Sequence, residues 1–453
     1  MENRDLVEIE ISDMSEEGAG IGHSEGMAVF VDGAVYGDRV KARITKVKKN
    51  YAFAECVEII KPSDKRQEGF CKFSRDCGGC PLGDLRYEEQ LKLKTKWIGD
   101  KLTRIGGLEN PLIHPIIGMD VPERYRNKGV MAVSKEGAIG FVRKKSHEVV
   151  DCPDCRIQSE KAMGVAEGLF QYIRENDIRG EIDKLMVRTA PGTGEMMTVV
   201  KTRSKGKLPN LEMLIDFLNE GSDFSLASIY LDDRCVAGKR VIIEETAGLK
   251  FEISPESFYQ VNSRQMLKLY EKAMEYADLK GGETVLDLYC GVGTIGIFAA
   301  KAMGDSGRVI GIESIKPAVI DANRNSVING IVSTRYITGK AEDVLPAIMG
   351  IKPYMGYNEV NKLVEKEPPL TVNHADVVFL DPPRAGCQEE LLSAVVKTEP
   401  DRVVYISCNP ATLARDIKYL TERGYEFKEA TPVDMFPHTG HVESVVLLTK
   451  VHN

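Results

Sequence analysis

The chain has 453 residues, 43% hydrophobic and 28% charged, a balance that fits a soluble protein of two or three domains. A net charge of −8 excludes a surface that is basic throughout but allows a local basic track. Ten cysteines are too sparse for a disulfide scaffold, no signal peptide opens the chain, and no apolar run could span a membrane, so a cytoplasmic location is expected.

Residues 1–62 alternate in the β manner, with strand-like runs at Val7–Ile11, Met27–Val31 and Asp38–Ile44 and glycine turns at 18–20 and 32–33. Such spacing predicts a small OB-like barrel, a shape suited to oligonucleotides. Lys46, Lys48 and Lys49 with Tyr51 add a basic and aromatic edge. Lys61-Pro62-Ser63-Asp64-Lys65 reads as a linker. A mixed α+β domain is expected over 63–253, with helices near 85–105, 161–176 and 211–219. The first of these helices is a candidate to lie against the last domain. A basic stretch runs from Arg124 through Arg126 and Lys128 to Arg143, Lys144 and Lys145. From 254 to 453 helices alternate with buried strands at 284–289, 308–313, 376–381, 402–407 and 443–450. This predicts a doubly wound, mostly parallel sheet. Gly350–Asn373 interrupts the alternation as an insertion.

Three features of this last domain carry chemistry. Gly291-x-Gly293-x-x-Gly296 follows a strand and opens a helix, and Glu313 ends the next strand, where a carboxylate can accept ribose hydroxyls. That loop fits NAD or S-adenosylmethionine (SAM) equally. Asp381-Pro382-Pro383-Arg384 supplies a rigid platform without amide donors for a flat base, as methyltransferases acting on nucleobases need. Methylation of an amino group on adenine or cytosine would use it without Cys408. Cys408 follows the strand ending at Ser407, and Glu443 begins another. Carbon 5 of uracil is a poor nucleophile. A thiolate added to carbon 6 activates it, and a carboxylate must then remove the carbon 5 proton.

Two C-x-x-C pairs, Cys77/Cys80 and Cys152/Cys155, stand with Cys71 in the central region. Their spacing permits a four-cysteine zinc site or an iron–sulfur cluster. His438 and His441 lack a third metal ligand nearby and are expected as loop residues beside the site.

Asp287-Leu-Tyr-Cys-Gly291, Asp381-Pro-Pro-Arg384, Ser407-Cys-Asn-Pro410 and His441-Val-Glu-Ser444, in this order, resemble the RNA uracil-5-methyltransferase family. Ser257-Phe-Tyr-Gln-Val-Asn262 is similar to that family's lead into its catalytic domain, and the N-terminal barrel resembles a TRAM domain. The resemblance covers nearly the whole chain. It implies a Rossmann-like class I methyltransferase domain, with Cys408 as nucleophile and Glu443 as proton-abstracting base. It implies SAM contacts from Gln260, Tyr289, Glu313 and Asp381, with Thr294 and Asp343 as further candidates. The Cys-x5-Cys-Gly-Gly-Cys pattern is similar to the branch that carries a [4Fe-4S] cluster. That implies Cys71, Cys77, Cys80 and a later cysteine as ligands, with Cys155 a better match than Cys152. The same branch implies 23S ribosomal RNA rather than tRNA as partner; no membrane association is expected, and no obligate protein partner is inferred.

Overall fold

The computed structural model describes residues 1–67, 69–144, 146–204, 207–220, 226–351 and 370–451. The greater part of the Gly350–Asn373 insertion, and Lys145 of the basic stretch, lie outside the described residues.

Strands β1 (Leu6–Met14), β2 (Gly20–Ser24), β3 (Met27–Asp32), β4 (Arg39–Val47) and β5 (Tyr51–Lys61) close into a barrel in the order β1-β2-β3-β5-β4. Alternate residues such as Ile9, Ile11, Val29, Val31, Val40 and Ile44 fill its interior. Strand β2 lies where only a glycine turn was expected. A Cβ at Gly22 would stand 2.3 Å from the Ile9 side chain, so this strand carries glycine for close approach and loses its alternation signal. Buried Asp38 ties the barrel to the next segment, accepting from Ser63 N at 2.9 Å and pairing with Arg66 at 2.6 Å.

After the short α1 (Ser74–Cys77), helix α2 (Tyr87–Arg104) leaves its own neighbourhood. Its Ile98 and Leu102 are buried in the core of the last sheet. The chain beyond it forms β-bridges from Ile113 to Ala430 and from Ile117 to Val433. Strands β6 (Lys128–Val133), β7 (Ile139–Val142), β8 (Val149–Asp151), β9 (Ile182–Thr189), β10 (Met196–Thr202), β11 (Ser228–Leu231) and β12 (Arg234–Gly238) form one sheet, ordered β12-β11-β10-β9-β6-β7-β8. Helices α3 (Glu160–Glu175) and α4 (Leu211–Glu220) bury Leu169, Tyr172, Leu214 and Leu218 in its core. A hairpin, β13 (Ile242–Thr246) and β14 (Leu249–Ile253), follows, and its Ile242, Leu249 and Phe251 share a core with the helix after it.

The last region runs α5 (Ser263–Ala277), β15 (Thr284–Leu288), α6 (Thr294–Met303), β16 (Arg308–Glu313), α7 (Lys316–Ile328), β17 (Thr334–Thr338), α8 (Ala341–Ile348), β18 (Val377–Leu380), α9 (Glu389–Lys397), β19 (Arg402–Ser407), α10 (Pro410–Thr421), β20 (Tyr425–Val433) and β21 (Glu443–Lys450). The sheet order is β17-β16-β15-β18-β19-β21-β20, with β21 antiparallel to both neighbours. The order reverses between β15 and β18, and the crevice outside that switch point is where open α/β sheets bind ligands. Its central strand β18 is apolar and buried throughout and β19 is buried from Val403 to Ser407, as cover on both faces requires, whereas edge strand β20 alternates exposed Glu426 and Lys428 with apolar residues.

Candidate active site

The loop after β15 is shaped for close approach. Tyr289, Gly291 and Gly293 all have positive φ (66°, 54° and 79°). A Cβ on Gly293 would lie 2.7 Å from the Tyr336 ring. Asp287, wholly buried, accepts from Gly296 N at 2.8 Å and closes the loop onto α6. Burial pushes its carboxyl up to about 7. Glu313 stands at the end of β16 and accepts from Gly291 N (3.2 Å) and Ile315 N (2.8 Å). Thr294 is buried at the start of α6. Gln260 is brought up by the central sheet, since Asn127 donates from Nδ2 to Gln260 O (2.9 Å) and from N to Val261 O (2.8 Å). Asp343 is exposed on α8. Its neighbour Glu342 is the carboxylate on that helix whose charge reaches Tyr289 and Cys387.

The tips of β18, β19 and β21 assemble the reactive groups. Ser407 pairs with Ser444 in the antiparallel register, so the next positions along, Cys408 and Glu443, face each other. Asn409 fixes this turn: its Oδ1 caps α10 by accepting from Ala411 N (3.1 Å), and its Nδ2 donates to Arg384 O (2.8 Å). Pro410 at the first helical position costs no hydrogen bond. Asp381 N donates to Leu288 O at 3.3 Å, which sets the Asp-Pro-Pro-Arg turn beside the glycine loop.

Three acids therefore meet in one recess. Burial, then Glu443, then Asp381 push the Cys408 thiol up to about 11, with Arg384 opposing. Burial and Asp381 hold the Glu443 carboxyl well above its ordinary value, again against Arg384. Burial pushes Asp381 up to about 7, although part of its surface stays open to the recess. A carboxylate set deep in protein yet accessible is placed for a cationic ligand.

A cleft of about 630 Å³ leads to Cys408 from the side of the barrel and central sheet. Arg126, Lys144, Arg384 and His441 line it, as do Trp97 and Phe141. Arg126 Nε is buried with no hydrogen-bond partner among the described residues. The expected basic grip is narrower than the sequence suggested. Arg124 is bound to Asp154 and Cys155 O, Arg143 to Asp76 and Glu148, and Lys144 to Asp32. His438 does not border the cleft: it is buried, with Nε2 donating to Pro122 O at 3.1 Å.

Cys77, Cys80 and Cys155 border the same cleft. Among the described residues no group of His, Cys, Asp or Glu side chains is arranged to hold a single metal ion. The thiols are nonetheless gathered, since Cys71, Cys77 and Cys80 each feel the charge of Cys155, and all three are pushed up by burial. Cys155 is held low by a hydrogen bond from the Cys152 thiol and by the backbone N–H groups of Ile157 and Gln158, so it is the readiest thiolate of the group.

Known proteins share these features. The tRNA (uracil-5-)-methyltransferase family matches residues 227–451, and the TRAM domain matches residues 2–57. An uncharacterized RNA methyltransferase of Halalkalibacterium halodurans is 38% identical and aligns over 98% of this chain and 97% of its own. The chain belongs to the RNA uracil-5-methyltransferase family. An uncharacterized RNA methyltransferase of Caldanaerobacter subterraneus is 39% identical over 98% of both chains. The crystal structure of Pyrococcus abyssi tRNA (uracil-54, C5)-methyltransferase, in complex with S-adenosyl-L-homocysteine, superposes with a TM-score of 0.74 at 28% identity, covering 98% of this chain and all of that one. The protein is thus an RNA uracil-5-methyltransferase that uses SAM, built from a TRAM barrel, a central sheet and a Rossmann-like sheet. Among the described residues no helix is long and apolar enough to cross a membrane.

Proposed function

We propose that this RNA uracil-5-methyltransferase acts on 23S ribosomal RNA through a covalent bond from Cys408 to carbon 6 of the target uracil. The observation that carries the mechanism is the facing pair at the strand tips, Cys408 and Glu443, with Asp381 beside them. SAM, when bound, supplies the electrophilic methyl carbon. Cys408 Sγ adds to carbon 6 and makes carbon 5 nucleophilic. Once carbon 5 carries the methyl group, Glu443 removes its proton and Cys408 leaves. Gln260, Tyr289, Glu313 and Asp381 would hold SAM; buried Thr294 suits that role better than exposed Asp343. Arg126, Arg384 and the aromatic edge of the barrel would hold an RNA strand whose target base has left its stack. The location that goes with this substrate is the cytoplasm.

Cys71, Cys77, Cys80 and Cys155 would hold a [4Fe-4S] cluster, whose thiolate bonds would cross-link the segment beside the cleft. Iron and sulfide in the purified protein, with broad visible absorbance, test this; zinc without that absorbance would exclude it.

The ribosomal substrate rests on the pairing of the TRAM barrel with the cysteine pattern. The full-length likeness to the Pyrococcus abyssi tRNA enzyme favours tRNA as the second reading. Mapping 5-methyluridine in ribosomal RNA and tRNA, with and without this protein, separates them. Loss of the mark from 23S RNA alone supports the first; loss from tRNA alone overturns it.

A further inference from the structure

The segment between β20 and β21 runs directly into Glu443, and it is not an ordinary surface loop. Its first five carbonyls are each taken by a donor from another part of the chain. Gln265 Nε2 donates to Asp434 O (3.2 Å), Asn262 Nδ2 to Met435 O (3.0 Å) and Lys94 Nζ to Phe436 O (3.0 Å). Tyr125 OH donates to Pro437 O (3.0 Å) and Leu82 N to His438 O (2.9 Å). Loops normally leave such groups to water.

The loop's side chains are held in the same mould. Lys94 Nζ lies 2.6 Å from Asp434 Oδ1, with both side chains fully buried, and Tyr87 OH donates to Asp434 Oδ2 at 2.8 Å. His438 sits in the left-handed region at φ 67°. Its N–H donates to Gln90 Oε1 (2.9 Å), and Gln90 Nε2 donates to its Nδ1 (3.1 Å). Its ring centroid is 3.8 Å from that of Phe70, the residue before Cys71. Gly440 presses on the barrel, where a Cβ would lie 1.7 Å from Glu16 O.

We propose that Gln90, Lys94 and Tyr125 are positioning residues for proton removal by Glu443, an inference that rests on Cys408 as nucleophile and Glu443 as base. In that step Glu443 takes the proton from carbon 5 of the methylated adduct. The C–H electron pair becomes the C5–C6 double bond, and the bond from carbon 6 to Cys408 Sγ breaks to return the thiolate. The carboxylate must stand within tenths of an ångström of its productive place. Register with β20 places Glu443 opposite Val433, and the mould fixes the start of the 434–442 connection that returns the chain to it. Nucleophilic addition by Cys408, which α10 and Asn409 position, needs none of these three residues.

Gln90→Leu and Tyr125→Phe test this with methyl-labelled SAM and target RNA. The expected result is a fall in kcat of roughly ten- to hundredfold for Gln90→Leu, less for Tyr125→Phe, with KM for RNA changed less than about twofold. A methyl-labelled, denaturation-resistant protein–RNA adduct should accumulate in both. A role in folding alone would lower the melting temperature and the adduct together. Should Gln90→Leu not fold, Tyr125→Phe, which deletes one oxygen, decides. Glu443→Gln is the control. If it traps adduct and neither positioning variant does, the inference falls. If it traps none, Glu443 is not the base and both fall.

Discussion

Arg384 Nη2 donates to His441 Nδ1 at 2.6 Å, and this bond ties the Asp-Pro-Pro-Arg turn to the loop that ends in Glu443. An accepting Nδ1 requires a neutral imidazole with its proton on Nε2. Burial, with the charges of Arg384, Lys94 and Arg126, lowers the His441 pKa and keeps it neutral. Arg384 is also the cation that opposes the rise in the Cys408 and Glu443 pKa values.

Removing that cation favours the protonated forms of both acids. Arg384→Met should therefore move the acid limb of the rate profile to higher pH. The rate near neutrality should fall about tenfold for each pH unit the limb moves. Single-turnover methylation measured against pH checks this, and an unmoved limb with a lower plateau would assign Arg384 to RNA binding instead.

The recess also governs stability. Burial raises Asp287 and Asp381 to about 7 and Glu443 well above its ordinary value. A carboxyl whose pKa is higher in the folded chain binds its proton more tightly there. Its contribution is full below the unfolded value, about 4, and is lost as pH rises through the folded value. The melting temperature of SAM-free protein should fall between about pH 5 and pH 8, and Asp381→Asn should flatten that slope. SAM carries a sulfonium charge that favours the carboxylates, so its affinity should rise with pH over the same range. S-adenosylhomocysteine, without that charge, should show less of the effect. Calorimetric titration of both ligands at several pH values measures the difference.

On the barrel, Phe30, Tyr51 and Phe53 form a half-exposed triad with ring centroids 5.5 to 5.7 Å apart, beside Lys46, which pairs with Phe53 across the strands. Two residues beyond Phe30 on β3, Asp32 bonds Lys144, which lines the cleft. Stacked bases contribute about 1–3 kcal/mol each, so Tyr51→Ala with Phe53→Ala should raise KM for RNA roughly tenfold or more and leave kcat in place. A change in kcat instead would remove the barrel from RNA binding.

The Lys94–Asp434 pair has an energetic signature of its own. Breaking a buried pair strands a charge, so Lys94→Met should destabilise the protein by about 3–5 kcal/mol. The double variant Lys94→Met with Asp434→Leu should recover much of that loss. Denaturant unfolding of the three proteins gives the coupling.

Five strands of the catalytic sheet were legible in the sequence because they are short, mostly apolar runs ending in polar or small residues, whereas edge strands β17 and β20, with polar and charged residues along their length, were not read as strands. Strands β16, β19 and β21 begin and end where the pattern put them. The tip residues Cys408, Glu443 and Asp381 were visible for the same reason. Strand β2 was hidden by its glycines. The polar mould around residues 434–438 was invisible: its side-chain hydrogen-bond partners from elsewhere in the chain lie 169 to 348 positions away in sequence, and Lys94 on an amphipathic helix has no local mark of burial. At α8 one helical step, about 100° of rotation, separates exposed Asp343 from Glu342, whose charge reaches Tyr289. A motif position carries no such angular information.

The covalent step is tested most directly with target RNA in which the reactive uridine is replaced by 5-fluorouridine. Fluorine at carbon 5 cannot be removed as a proton, so the account predicts a stable complex containing enzyme, methyl group and RNA, linked at Cys408 and absent from Cys408→Ala. Methylation of normal RNA with no such complex, or a complex that forms on Cys408→Ala, would contradict it.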